Sequence, residues 1–152
     1  MSKAITTRVV ATDQLAVRRQ PALIPASWLT WLEAWAPTAV RITLGLIFLW
    51  FGVAELLQPR MWAGYVPLLS SSSSVASLLV LLHGGLLWML ATALILGIAP
   101  RTAALLSVGV MGEIILALLF GHGLSDIVAR DLGVLGLALV TLVSDRQKLL
   151  LA

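Results

Sequence analysis

Residues 36–57 read APTAVRITLGLIFLWFGVAELL, a run of 22 residues in which only Arg41 and Glu55 are charged. A helix over this run, rising 1.5 Å per residue, is about 33 Å long and matches the hydrocarbon core of a bilayer. A charge in that water-free layer costs several kcal/mol even on lenient scales, so such residues turn toward the protein interior and find partners. Arg41, Gly45, Phe48, Gly52 and Glu55 follow one another at steps of 4, 3, 4 and 3 residues, which puts them on one helical face. The two glycines permit close helix approach. Arg41 and Glu55 lie about 21 Å apart along the axis, so each needs a partner from another helix, or water.

The rest of the chain repeats the pattern. Of 152 residues 60% are hydrophobic and 11% charged, and the mean hydropathy is +1.02, a composition that excludes a soluble domain and implies an integral membrane protein. Three more runs, 76–96, 102–120 and 125–143, have the length of a span. The uninterrupted apolar part of the last, 132–143, would reach only about 18 Å, so that helix has to begin near Ser125 and draw Arg130 and Asp131 inward. The expected fold is all-α, an antiparallel up-down bundle of four transmembrane helices at 36–57, 76–96, 102–120 and 125–143.

Breaks at Gln58-Pro59-Arg60, Ala99-Pro100-Arg101 and Gly121-His122-Gly123 hold the helix-stopping residues that separate spans. The longest connection, 58–75, carries Trp62, Tyr65 and the serine run 70–74 and reads as surface. Arg18, Arg19, Arg41, Arg101, Arg146 and Lys148 fall on one side of the spans against Arg60 and Arg130 on the other, which puts both termini in the cytoplasm. Residues 1–26 read as a poorly ordered basic tail with no signal-peptide pattern, and 144–152 as a second cytoplasmic tail. Trp28, Trp31 and Trp35 share a helical face, which predicts a short amphipathic helix at 27–35 lying on the inner leaflet, as indole rings favour the headgroup layer.

Chemistry is bounded by what is missing. The chain has no cysteine and two histidines, His83 and His122, which excludes disulfides, thiolate catalysis and cysteine-held clusters and predicts no intrinsic metal. No phosphate-binding glycine loop, Ser-His-Asp set or His-Glu-x-x-His motif is present. The net charge of +3 follows the topology rule, with no aromatic-interleaved basic cluster, so nucleic acid is not an expected partner. The lipid bilayer is.

The ionisable residues inside the runs are the candidate site. Gly109, Glu113 and Ala117 recur every four residues, a stripe of the kind that packs helices, so Glu113 is expected to face protein with His83 or Arg130 near it. Asp126 precedes Arg130 by one turn, in register for an ion pair. Once the topology is imposed, Glu55, His83, Glu113, Arg130 and Asp131 fall in the outer half of the membrane and predict one polar pocket there. Arg41 lies near the inner face, where a basic residue reaches lipid phosphates and fixes topology; with Gly45, Gly52, Gly109 and Asp126 it reads as structural.

The stretch from Arg41 to Gly52 followed by Glu55-Leu56-Leu57, the loop Trp62-Ala63-Gly64-Tyr65-Val66-Pro67, and Asp126-Ile127-Val128-Ala129-Arg130-Asp131-Leu132-Gly133 resemble the DoxX/DoxD-like family of small four-helix membrane proteins, over roughly residues 36–143. The resemblance implies a bacterial or archaeal inner-membrane protein, some of whose relatives serve as the membrane subunit of thiosulfate:quinone oxidoreductase and others in membrane redox complexes. The chain departs from relatives that carry a base near Glu55, and from thiol-handling ones by lacking cysteine. Two functions therefore stand side by side. One is a membrane subunit or accessory of a quinone-linked redox complex, with a quinone in the pocket of His83, Glu113 and Arg130 and electrons supplied by a soluble or membrane redox partner. The other is a non-enzymatic scaffold or small permease-like binder, for which transport requires a homo-oligomer.

Overall fold

The computed structural model describes residues 25–144 and 147–150; the tail predicted at 1–26 lies almost wholly outside the described residues, as do Arg18, Arg19 and Arg146. Every regular element among the described residues is helical. Helix α1 spans Ala26–Leu57, α2 is the short turn Pro59–Trp62 continued by a 3-10 turn at Ala63–Tyr65, and α3, α4 and α5 span Ser74–Leu96, Pro100–His122 and Asp126–Val143. Helices α1, α3 and α4 are long and apolar enough to cross a membrane, so the chain is a multi-pass membrane protein. Helix α5 is as long as a minimal span but carries Asp126, Arg130 and Asp131.

The N-terminal boundary differs from expectation. The short separate helix expected at 27–35 is the first part of α1, which has 32 residues and contains Pro37. A proline inside a helix removes one backbone donor, a loss that membrane helices tolerate where neighbouring groups compensate. With no glycine between Trp28 and Val40, the chain has nothing else to end the helix there. Trp28 and Trp31 are exposed.

The other ends follow local chemistry. Ser73 caps α3, its hydroxyl accepting from the Val75 N–H at 3.2 Å, so one residue of the serine run 70–74 starts a helix. Gly97, at φ 71°, closes α3 in the left-handed conformation and donates to the carbonyls of Ala93 and Leu94, and Pro100 opens α4 at a position where its missing N–H costs nothing.

Gly45 and Gly52 of α1 face α3. A Cβ on Gly52 would stand 2.9 Å from the Gly84 carbonyl and 3.0 Å from the Trp88 nitrogen, and one on Gly45 would press on Ile95 and the Ala91 carbonyl. Backbone atoms cannot give way, so α1 and α3 touch only because these positions lack side chains. Leu44 and Phe48 of α1, Leu87, Leu90 and Leu94 of α3, Met111 of α4 and Val134 and Ala138 of α5 form one buried cluster. Large apolar side chains such as Trp50, Leu82, Met89, Leu116 and Leu139 point outward, the arrangement expected where lipid is the solvent.

The stripe on α4 is the second correction. The inward face is Ala104, Ser107, Met111, Ile115 and Leu118, and Gly109 lies off it, with nothing within 4 Å of where its Cβ would be. A helix apolar on all sides gives no contrast from which its rotation can be read; the shape of the core decided it.

Candidate functional site

At the end of the helices that carries α2 and the 123–125 turn, a cavity of about 410 Å³ is lined by Glu55, His83, Glu113, Arg130 and Asp131 together. The five residues that sequence reasoning gathered from four separate runs thus border one space. Its volume lies in the range of small-molecule sites. The remaining wall is apolar and aromatic, with Phe48, Phe51, Trp62 and Tyr65 among its residues.

The polar wall is a chain of three side chains from three helices. Close approach at Gly52 and Gly84 brings Glu55 against α3, where a Cβ on Gly84 would stand 2.9 Å from that of Glu55. Glu55 is buried and its Oε2 lies 2.7 Å from His83 Nδ1, the length of a strong charge-assisted bond. On the other side of the ring, His83 Nε2 lies 3.7 Å from Glu113 Oε2, beyond hydrogen-bond reach. Exposure rises along the chain, the side chains being 9%, 24% and 65% exposed for Glu55, His83 and Glu113. His83 Nε2 itself is shielded from solvent and has no hydrogen-bond partner. Such an atom bears a desolvation cost of about 1–3 kcal/mol, here offset by the Glu113 carboxylate at 3.7 Å.

Arg130 does not use the partner its spacing offers. Its Nε donates to Asp131 Oδ1 at 2.8 Å and its guanidinium sits 5.0 Å from the centre of the Phe51 ring, while Asp126, one turn back, is exposed. Asp131 is buried and Arg130 half exposed, so the pair neutralises a carboxylate on the cavity wall and leaves the flat face of the cation over an aromatic ring.

Glu113 departs from expectation in part. It follows the inward-facing Met111 by two residues, about 200° around the helix, and its side chain is 65% exposed, yet its carboxylate borders the cavity and lies 3.7 Å from His83 Nε2, the neighbour expected for it. Its stripe mate Ala117 also lines the cavity.

The aromatic wall was not foreseen. The connection read as surface folds back over the cavity through α2 and the 3-10 turn, burying Ala63 completely. Phe51 meets Trp62 edge-on at 5.8 Å, Trp62 meets Tyr65 at 6.0 Å, and Tyr65 meets His122 at 5.4 Å. The available signal was Pro59, a helix opener, followed by Trp62 and Tyr65 at a helical spacing of three. Both rings also suit a membrane interface, so composition alone could not separate the two roles.

Arg41 lies apart from all of this, at the opposite end of α1, and it does not reach outward to phosphates. It is completely buried, with Nη1 donating to the Leu94 carbonyl at 2.6 Å and Nη2 to the carbonyls of Lys148 and Leu149 at 2.9 and 3.0 Å. The Lys148 N–H donates to Thr38 Oγ1 at 2.8 Å, and its ammonium lies 4.5 Å from the centre of the Trp35 ring. The described part of the segment expected to be a free tail, 147–150, is therefore docked against α1 and the end of α3.

No family model, curated protein or solved structure matches the chain.

Proposed function

We propose that the chain is a DoxX-like integral membrane protein, a four-transmembrane-helix up-down bundle with both termini cytoplasmic in a bacterial or archaeal inner membrane. In this reading it is the membrane subunit or accessory of a quinone-linked redox complex, and the cavity lies in the outer half of the bilayer and holds the quinone ring. The observation that carries the reading is the cavity itself, with His83 between the Glu55 and Glu113 carboxylates on one wall and aromatic rings on the other. A quinone ring is a flat apolar body with an oxygen at each end. Phe51 and Trp62 offer it faces and edges, and His83 offers one oxygen a hydrogen-bond partner.

The chain holds no cysteine, so electrons come from a partner protein, and the residues here bind, orient and exchange protons. Glu113, at the outer end of the Glu55–His83–Glu113 chain, is the exit toward water. The test is saturable binding of decylubiquinone or a short-chain menaquinone to the purified protein in lipid nanodiscs, followed by quenching of tryptophan fluorescence. Binding that saturates, and weakens several-fold in Glu113→Gln, is the expected result; binding no stronger than partition into empty nanodiscs sinks the reading.

One observation favours the scaffold reading. Among the described residues nothing lies within 4 Å of where a Cβ on Gly109 or Gly112 of α4 would be, and small residues on a lipid-facing helix are a means of helix association. Because the protein lacks cysteine, Gly109→Cys supplies a clean probe: disulfide-linked dimers formed in membranes support a homo-oligomer across α4, and a cross-linking yield no higher than at exposed Leu82→Cys argues against it.

A further inference from the structure

Among the described residues, the cavity is bordered by three carboxylates, Glu55, Glu113 and Asp131, and by two groups able to carry positive charge, His83 and Arg130. The charges are not evenly shared. Asp131 accepts from Arg130 Nε at 2.8 Å, and Glu55 Oε2 lies 2.7 Å from His83 Nδ1. Glu113 meets the far side of the same imidazole, at 3.7 Å, outside hydrogen-bond reach. One histidine thus stands between two carboxylates. Even as a full cation it balances one of them, so the wall keeps an excess of one negative charge, and a neutral ring leaves two.

The excess falls at Glu113. This residue is the fourteenth of the 23 in α4, about 14 Å from the helix end beside the 123–125 turn, and its side chain is 65% exposed. At that depth a carboxylate without a counter-ion of its own costs several kcal/mol, a cost that a cation entering the cavity removes. The rest of the wall suits such a guest. Aromatic faces attract cations, those of tryptophan most strongly, and the protein already uses one of them: the Arg130 guanidinium sits 5.0 Å from the centre of the Phe51 ring. Trp62 and Tyr65 line the same space. An anion finds no equivalent welcome, because the guanidinium on this wall is engaged by Asp131.

We infer that the cavity takes an organic cation with a flat or apolar body, an amine or a quaternary ammonium, with its charge against Glu113 and its body among the aromatic side chains. The cavity, at about 410 Å³, has room for a ring and its substituents. This inference goes beyond the quinone reading and does not depend on it.

The experiment uses the full chain in dodecyl maltoside, an uncharged detergent, and follows radiolabelled benzyltrimethylammonium by equilibrium dialysis against empty micelles. Saturable binding is expected, undisplaced by benzylsulfonate, which has the same ring and the opposite charge. Glu113→Gln keeps the shape and removes the charge, and is expected to weaken binding at least about tenfold, while Glu113→Asp retains most of it. No saturable binding, displacement by the anion, or unchanged affinity in Glu113→Gln overturns the inference. If Glu113→Gln does not fold, the comparison of cation with anion in the wild type decides alone. A free cation and the ammonium head of a lipid share this chemistry; displacement of the probe by short-chain phosphatidylcholine but not by choline assigns the site to a lipid head, and displacement by both to a free cation, the inference standing in either case. Decylubiquinone binding is read separately: a cation bound without a quinone overturns the quinone reading alone, and a quinone bound without a cation overturns this inference alone.

Discussion

The two ends of α1 each hold a buried ionisable residue, and they solve the problem of burial differently. Arg41 gives its terminal nitrogens to three backbone carbonyls, one from α3 and two from the C-terminal segment. Those carbonyls include Leu94's in the last turn of α3, which also accepts from the Gly97 N–H, so the arginine ties that helix end to the C-terminal segment. Glu55 instead meets another titratable side chain, whose second ring nitrogen lies 3.7 Å from the Glu113 carboxylate. Both keep one buried nitrogen without a hydrogen-bond partner, Arg41 Nε and His83 Nε2, so the difference lies in the partners: backbone carbonyls fix segments of the chain to one another, whereas a chain of titratable side chains bordering a cavity is a candidate site.

That contrast can be broken by experiment. Arg41→Leu should have the largest effect: three carbonyls lose a buried charged donor, for a loss of about 3 kcal/mol, visible as a lower unfolding midpoint in mixed micelles. An unchanged midpoint would show that the docked C-terminal segment contributes nothing to stability. Gly52→Ala comes next, at about 2 kcal/mol, because its methyl group meets the Gly84 carbonyl and Trp88 nitrogen and forces α1 away from α3. Since the same contact sets the Glu55–His83 distance, this variant should lose ligand affinity as well as stability; loss of stability alone would separate the helix contact from the site.

Trp62→Ala sharpens the comparison from the other side. It removes an aromatic wall of the cavity and should weaken decylubiquinone binding about tenfold, roughly 1.4 kcal/mol. Titration should show that loss with the unfolding midpoint moved far less than by Arg41→Leu. The smallest effect belongs to Gly109→Ala, where the added methyl meets open space. Relief of the helix cost of glycine should leave stability unchanged or raise it by up to about 1 kcal/mol, and destabilisation would mean that α4 is packed against a second copy.

Much of the site was legible because the cost of burying charge is a property of the residue and its depth. Glu55, His83, Glu113, Arg130 and Asp131 could be gathered before any contact was known, since four apolar runs in alternating directions bring them to one level. The depth argument could not say which of them pair. Arg130 had Asp126 and Asp131 in reach, one by helical spacing and one by adjacency, and took the buried one. Glu113 was read from a small-residue stripe on a helix with no polar side to orient it.

The sequence by itself determined that the chain is helical and multi-pass, that the α1 face with Gly45 and Gly52 is a packing face, and that ionisable residues cluster near one end of the helices. These follow from composition, period and the spacing of residues with extreme transfer energies, which are local quantities. Only the tertiary structure decided that Trp62 and Tyr65 fold over the cavity, that Arg41 holds the C-terminal segment, and that His83 stands between Glu55 and Glu113. Those are facts about distances between residues 11 to 108 positions apart, and they depend on how the helices rotate and pack, which no single helix encodes.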